Sequence, residues 1–306
     1  MGDGGPLRAA VVLFSSEGFS VTRAPRWAAV VLGAVLASGV LAGCSSPPKT
    51  EGTQTLAGRS GTITIAGSTA LLPLVKDAAD LYQQQHASVK ISVSGGGSAA
   101  GINQAAARAI DIGDSDITAP GHAELADNRV CVVGFAVVTN PAVGVKSLTR
   151  QQLQAVFAGK VANWKQVGGP DQKVVVVNRP RSSGTRAVFS KVVVGNVPLT
   201  EAGLVEDATG TVVSVVKQTP GSVSYVALSG ITGGGVNVVA VDGVAPADAM
   251  IASGKYPIWS YEHMFTYGPP TGEVSRFIAF VSSNSELVRK DGFILIRDMR
   301  VSETDR

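Results

Sequence analysis

Thr62–Ile102 reads TITIAGSTALLPLVKDAADLYQQQHASVKISVSGGGSAAGI, and its pattern decides the fold class. TITIA (Thr62–Ala66) is a short β-rich run that ends in GST. A helical period follows, with Leu71, Val75, Ala78 and Tyr82 on one face and Leu74 and Leu81 beside it. KISVS (Lys90–Ser94) is a second strand, broken by Gly95–Gly97. Ile102, Ala105, Ala106 and Ala109 then predict a second helix. Strand and helix alternating at this spacing make βαβ units, whose strands run parallel.

The alternation continues outward. Val130–Thr139 is a long apolar strand. Thr149 with Gln152 three residues later forms a capping box, opening a helix with Leu153, Val156 and Phe157 on one side. Lys173–Asn178 is another apolar strand, ended by RPRSSGTR. Further strands are predicted at Val223–Ala227, Val236–Val241 and Ile258–Thr266, and further helices at Val212–Lys217, Ala247–Ser253 and Val274–Val281. The fold class is α/β with a mainly parallel sheet flanked by helices. In such sheets ligands bind beyond the carboxyl ends of the strands.

Composition narrows the function. The 306 residues are 45% hydrophobic, which excludes a disordered chain, and 36 Gly without a period of three exclude collagen. Lys and Arg number 26 against 23 Asp and Glu, a net +3 too small for a nucleic-acid binder. Two Cys cannot staple a scaffold, and with no CxxC or HExxH segment no metal and no cofactor is expected. Cys131 lies in the apolar run VCVVGFAVV and reads as a buried, unpaired thiol.

Residues 1–43 read as a secretory signal. Arg23 and Arg26 precede the apolar run Trp27–Gly43, and Cys44 follows at once. That final LAGC resembles a bacterial lipobox, which implies cleavage before Cys44 and lipid on its sulfur. The alternative is an uncleaved anchor helix, since the run is at the lower edge of a membrane span. Either way the body lies outside the cytoplasm. Residues 1–20 are an unusual prelude, and Val21 is the expected true start. Residues 44–60, rich in Gly, Ser, Thr and Pro, read as a flexible tether.

Four segments share a chemical character: AGSTALLPL (Ala66–Leu74), SGGGSAAG (Ser94–Gly101), DIGDSD (Asp111–Asp116) and NRPRSSGTR (Asn178–Arg186). Each sets small hydroxyl residues beside Gly or an acid. A helix N-terminus offers free N–H groups to an anion, Gly lets backbone come close, and Ser or Thr adds an O–H donor. Arg179 brings a planar fork that suits two oxygens of a tetrahedral oxyanion. Singly, GST can be an ordinary N-cap, GGGS a turn, RSSGT a surface turn and Asp116 a local cap. Together, at strand ends of one chain, they favour an anion site.

The chain closely resembles the periplasmic phosphate-binding proteins of ABC-type phosphate importers, from about Gly61 to Ser283. The resemblance rests on AGSTALLPL, SGGGSAAGI, AIDIGDSD, LTRQQLQAVFAGKVANWKQVGG (Leu148–Gly169), RPRSSGTR and YPIWSYEHMF. It implies a ligand set of Thr69, the N–H of Ala70, Ser98, Asp116, Arg179, Ser183, Gly184 and Thr185. Ala99 and Ala100 follow Ser98 where relatives often carry another hydroxyl, so backbone N–H would serve there. Arg181 reads as an exposed rim charge.

It further implies a two-lobed periplasmic-binding-protein fold, type II-like, with the ligand in the inter-lobe cleft. Lobe one would be 61–137 and 223–306, and lobe two 138–222. The expected function is an extracytoplasmic, lipid-anchored receptor on the outer face of the cytoplasmic membrane. It would bind inorganic phosphate as a monomer and deliver it to membrane permease subunits, with no catalytic residue. Asp116 makes sense beside an anion only if the ligand keeps a proton to donate, as phosphate does and sulfate does not. The alternatives are a phosphate-sensing or adhesive surface protein, or a phosphoester hydrolase. Against the hydrolase, the chain has no GxSxG elbow and no P-loop, and the SxxK spacing of Ser214 and Lys217 lacks its companion motifs. His86, His122 and His263 read as surface residues.

Overall fold

The computed structural model describes residues 61–231 and 233–305. The signal, Cys44 and the tether lie outside the described residues. In chain order the elements are β1 (Thr62–Gly67), α1 (Leu72–Gln85), β2 (Lys90–Ser94), α2 (Ser98–Ala106), β3 (Ile112–Ser115), β4 (Leu125–Thr139), β5 (Ser147–Leu148), α3 (Arg150–Phe157), β6 (Val175–Asn178), α4 (Gly184–Phe189), β7 (Leu204–Val205), α5 (Thr209–Gln218), β8 (Ser222–Ala227), β9 (Asn237–Val241), α6 (Asp248–Ala252), β10 (Trp259–Tyr267), α7 (Gly272–Ser283) and α8 (Ser285–Lys290).

Local signals explain most of these. In α1 the residues Leu74, Val75, Ala78 and Tyr82 are buried, the face that the 3.6 period defines, and Pro73 fits the first turn where its missing N–H costs nothing. The capping box of α3 is complete: Gln152 N–H donates to Thr149 Oγ1 at 3.1 Å, and Thr149 N–H donates to Gln152 Oε1 at 2.8 Å. From Val130 to Thr139 β4 is buried on both faces, which is why it reads as a continuous apolar run.

The sheet order is β2-β1-β3-β10-β4-β8-β6-β7, with β9 pairing β4 and β5. Pairing is parallel among β2, β1 and β3, and again among β8, β6 and β7. The ladders between those groups, through β10 and β4, are antiparallel. One strand spans both groups. β4 pairs with β10 from Leu125 to Gly134 and with β8 from Phe135 to Thr139. The boundaries read from the sequence put 223–306 with lobe one. β8 and β9 nonetheless pair with the second half of β4 and with β5 and β6.

The main core lies around β4 and gathers Ile63, Leu74, Val133, Phe135, Phe157, Trp164, Tyr225 and Phe277. Alternate β4 residues Ala136 and Val138 face a second cluster with Val212, Val213 and Val216 of α5. Cys131 is buried and unpaired, and burial pushes its thiol up. His263 corrects the surface reading. It is fully buried, stacks on Phe265 and meets Asp127 Oδ1 through Nδ1 at 2.6 Å. An inward position on β10 places it there, with a carboxylate from β4 as partner. His86 is exposed and His122 partly so, paired with Glu124. Among the described residues no helix is long and apolar enough to cross a membrane, and no group of His, Cys, Asp and Glu could hold a metal ion.

Candidate functional site

All four anion-type segments, and a fifth that the sequence reading missed, follow the carboxyl ends of parallel strands. β1 leads into Ser68–Ala70, β2 into Gly95–Ser98, and β3 into Asp116. On the other side β6 leads into Arg179 and β7 into Asp207–Thr209. The N-termini of α1, α2, α4 and α5 therefore start from these loops, each bringing partial positive charge to them.

Asp116 is the junction of the two sides. It is 2% exposed. Ser68 Oγ donates to its Oδ1, and Thr185 Oγ1 donates to its Oδ2 at 2.8 Å. Its backbone N–H donates to Ser98 Oγ at 3.0 Å. Ser68 also accepts from the N–H groups of Ala70 and Leu71, at 3.0 and 3.1 Å. The hydroxyl turn ahead of α1 is thus made by Ser68, while Thr69 points elsewhere in the site.

Thr69 Oγ1 accepts from Arg179 Nη2 at 3.1 Å and from Thr209 N–H at 3.3 Å. Arg179 is 1% exposed, and its Nη2 also donates to the carbonyl of Asp207. Its Nε and Nη1 are buried without a protein partner. Burial pulls this guanidinium down from its ordinary value and the Asp116 charge works the other way, yet Arg remains a cation in proteins. Buried donors without partners are rare, so a cation with two such nitrogens in a hydroxyl-lined site points to an anion.

The second loop closes the site. Ser183 is the N-cap of α4, its Oγ accepting from Arg186 N–H at 3.3 Å. Gly184 and Thr185 start that helix, both buried. Ala99 N–H donates to the Ser182 carbonyl at 3.1 Å, another bond between the two sides. Arg186 is held inside, with Nη1 on the Arg179 carbonyl at 2.5 Å. Arg181 is an exposed charge paired with Glu201, as its rim position implies. The structure thus brings together Thr69, Ala70, Ser98, Asp116, Arg179, Ser183, Gly184 and Thr185.

Ser68 and Thr209 complete the site and were missed. Ser68 stands in the same GST triplet, where sequence cannot tell which hydroxyl turns toward the acid. Thr209 precedes Gly210 at a helix start, the same signature as the other segments, and could have been read from it.

Residues 52–285 match the profile of the PBP superfamily domain. The phosphate-binding protein PstS of Bacillus subtilis is 39% identical over 251 residues, covering 79% of this chain and 83% of that protein. A phosphate ABC transporter substrate-binding protein from Clostridium perfringens, solved with bound phosphate, superposes with a TM-score of 0.73 at 28% identity, covering 77% of this chain and all of that one. An ABC-type phosphate transport receptor from Vibrio cholerae gives a TM-score of 0.62 at 30% identity, covering 76% and 99%.

Proposed function

The chain belongs to the PBP superfamily and, within it, to the family of the phosphate-binding protein PstS; from that premise we propose that it is an extracytoplasmic receptor that binds inorganic phosphate and passes it to an ABC-type importer. One observation carries the reading. Arg179 is a buried cation with two donor nitrogens unused by protein, and it shares its site with Asp116, an acceptor beside the place an anion would take.

Phosphate reconciles these opposites. Its unprotonated oxygens take N–H donors from Arg179 and the loop backbone, with O–H donors from Thr69, Ser98 and Ser183, while Thr185 keeps its O–H on Asp116. Its remaining proton goes to a free lone pair of Asp116. Sulfate has no proton to give, so it meets the carboxylate as like charge in a buried site. Ser68 and Thr185 already satisfy one lone pair on each Asp116 oxygen, so repulsion rather than a lost hydrogen bond does most of the discrimination.

The two sides act as lobes, the β2-β1-β3-β10 group against the β8-β6-β7 group with β9 and β5, and the ion cross-links them when they close. No step requires catalysis. Among the described residues the site presents hydroxyls, one carboxylate, one guanidinium and backbone groups. The receptor works as a monomer held to the outer face of the membrane through lipid on Cys44, after removal of residues 1–43, and docks on the permease subunits. Native mass spectrometry of the purified chain tests the core of this. One bound phosphate is expected, lost in Arg179→Ala, whereas sulfate bound equally well, or no anion at all, would sink it.

A further inference from the structure

Asp114 and Glu262 take no part in the contacts above, yet both lie beneath Asp116. β3 and β10 pair with Met264 opposite Asp114 and His263 opposite Ser115. Glu262 precedes His263 on β10, and the charges of both Asp116 and Asp114 reach it. On its other side Glu262 lies opposite Cys131 of β4. Asp114 is 1% exposed and Glu262 fully buried.

The three carboxyls live in different surroundings. Asp116 receives two hydroxyl donors and lies in the field of Arg179. Glu262 has no protein partner on either oxygen, and neither has Oδ1 of Asp114. Ionised carboxylates buried in this way take up a proton rather than bear the cost of desolvation. Burial first, then the Asp116 charge, pushes the Asp114 carboxyl well above its usual range. For Glu262 the causes are burial, then Asp116, then Asp114.

The other ionisable groups on the surrounding elements are engaged elsewhere. α2, packed on β3 and β10, has none. On α7, packed on β4, Glu273 and Arg276 pair with each other. Asp111, just before β3, accepts from Thr64. His263 pairs with Asp127, which also meets Arg129. Around the Ile294 bridge to β4, Lys290 meets Asp77 and Asp291, Arg297 meets Ser285, and Asp298 meets Arg289. Cys131 is a thiol raised by burial. Among the described residues no ion pair reaches Asp114 or Glu262.

We infer that Asp114 and Glu262 are charge-setting residues of the anion site: both stand as neutral acids beneath Asp116, so that the three carboxyls carry a single negative charge, held on Asp116, and ionisation of a second one at alkaline pH weakens phosphate binding. The binding clause rests on the phosphate reading. The protonation clause does not.

Infrared spectroscopy tests the protonation clause directly. At about pH 8, where ordinary carboxyls are ionised, the unmodified protein is expected to show carbonyl bands of buried carboxylic acids. Asp114→Asn and Glu262→Gln should each remove one of them. Absence of such bands overturns the inference. Calorimetric titration with inorganic phosphate from about pH 7 to about pH 10 tests the binding clause. The unmodified protein is expected to lose affinity about tenfold or more, and the double variant about threefold at most. If the double variant does not fold, Glu262→Gln alone should show the smaller loss. Equal losses in unmodified and variant proteins overturn the charge-setting role. Bands present with no phosphate bound at any pH would overturn the binding clause and the phosphate reading together, leaving the buried acids established.

Discussion

Gly184 stands directly against Ser98 across the site: a Cβ on Gly184 would lie 2.2 Å from Ser98 Oγ, 2.8 Å from Ser98 Cβ and 2.9 Å from Asp116 Cβ. Only a hydrogen atom fits between the two sides. Gly184→Ala is therefore expected to hold them apart and weaken phosphate binding at least about tenfold, some 1.4 kcal/mol. Because Ala is a better helix former than Gly by up to about 1 kcal/mol, the ligand-free protein should not melt earlier. Titration calorimetry and a melting scan read the two effects separately. Unchanged affinity would show that this close approach is dispensable.

Asp116→Asn replaces the acceptor with an amide that can also donate. Phosphate loses the partner for its proton, while sulfate is relieved of a like charge. The ratio of the two affinities is expected to narrow by about tenfold or more. Titration with both anions measures it, and an unaltered ratio would remove Asp116 from the discrimination.

Ser68→Ala deletes one donor to Asp116 and the acceptor for two N–H groups at the start of α1. The stability lost should resemble that of a missing helix cap, about 1–2 kcal/mol by urea unfolding, with phosphate binding weakened as well. Thr69→Ala should weaken binding with less effect on unfolding, because the hydroxyl it removes faces Arg179 and Thr209. Identical unfolding midpoints for Ser68→Ala and the unmodified protein would contradict this division.

Burial alone would raise the Asp127 carboxyl, but contact with His263 and then the Arg129 charge outweigh it and the group lies below its usual value. A depressed carboxyl stabilises the fold above the pKa of the unfolded chain, about 3.9, and that stability is lost as pH falls through the folded value. Asp127→Asn should thus lower the melting temperature by a few degrees near neutral pH. The gap should close as pH drops below about 4. A gap constant down to acid pH would mean that packing, not charge, is what Asp127 supplies.

What could be read from the sequence is what local physics fixes. β2 runs from Lys90 to Ser94, the bounds that its alternation defines, and the Thr149–Gln152 box forms as its spacing requires. The segments that build the site were legible because several of them, at strand ends of one chain, share small hydroxyls beside Gly or an acid. β3 was not. Its four residues, Ile112–Ser115, carry two acids or hydroxyls and a Gly, and become a strand only because β1 and β10 flank them. His263 likewise looks polar in sequence until the strands bring Asp127 to it across 136 positions. The partners of Asp116 and Arg179 are also remote: Ser68 lies 48 residues from Asp116, and Thr69 lies 110 from Arg179. Which hydroxyl of a GST triplet turns toward the acid is decided at that range.

Cys131 has a practical consequence. Maleimides react with exposed thiolate, and a fully buried thiol raised by its surroundings offers none. In a version beginning after Cys44, a single cysteine introduced near the mouth of the site, for example at Arg181, would be the sole position a thiol-reactive fluorophore could reach in the folded chain. Closure around an anion would then be readable as light, with the native sulfur left in place.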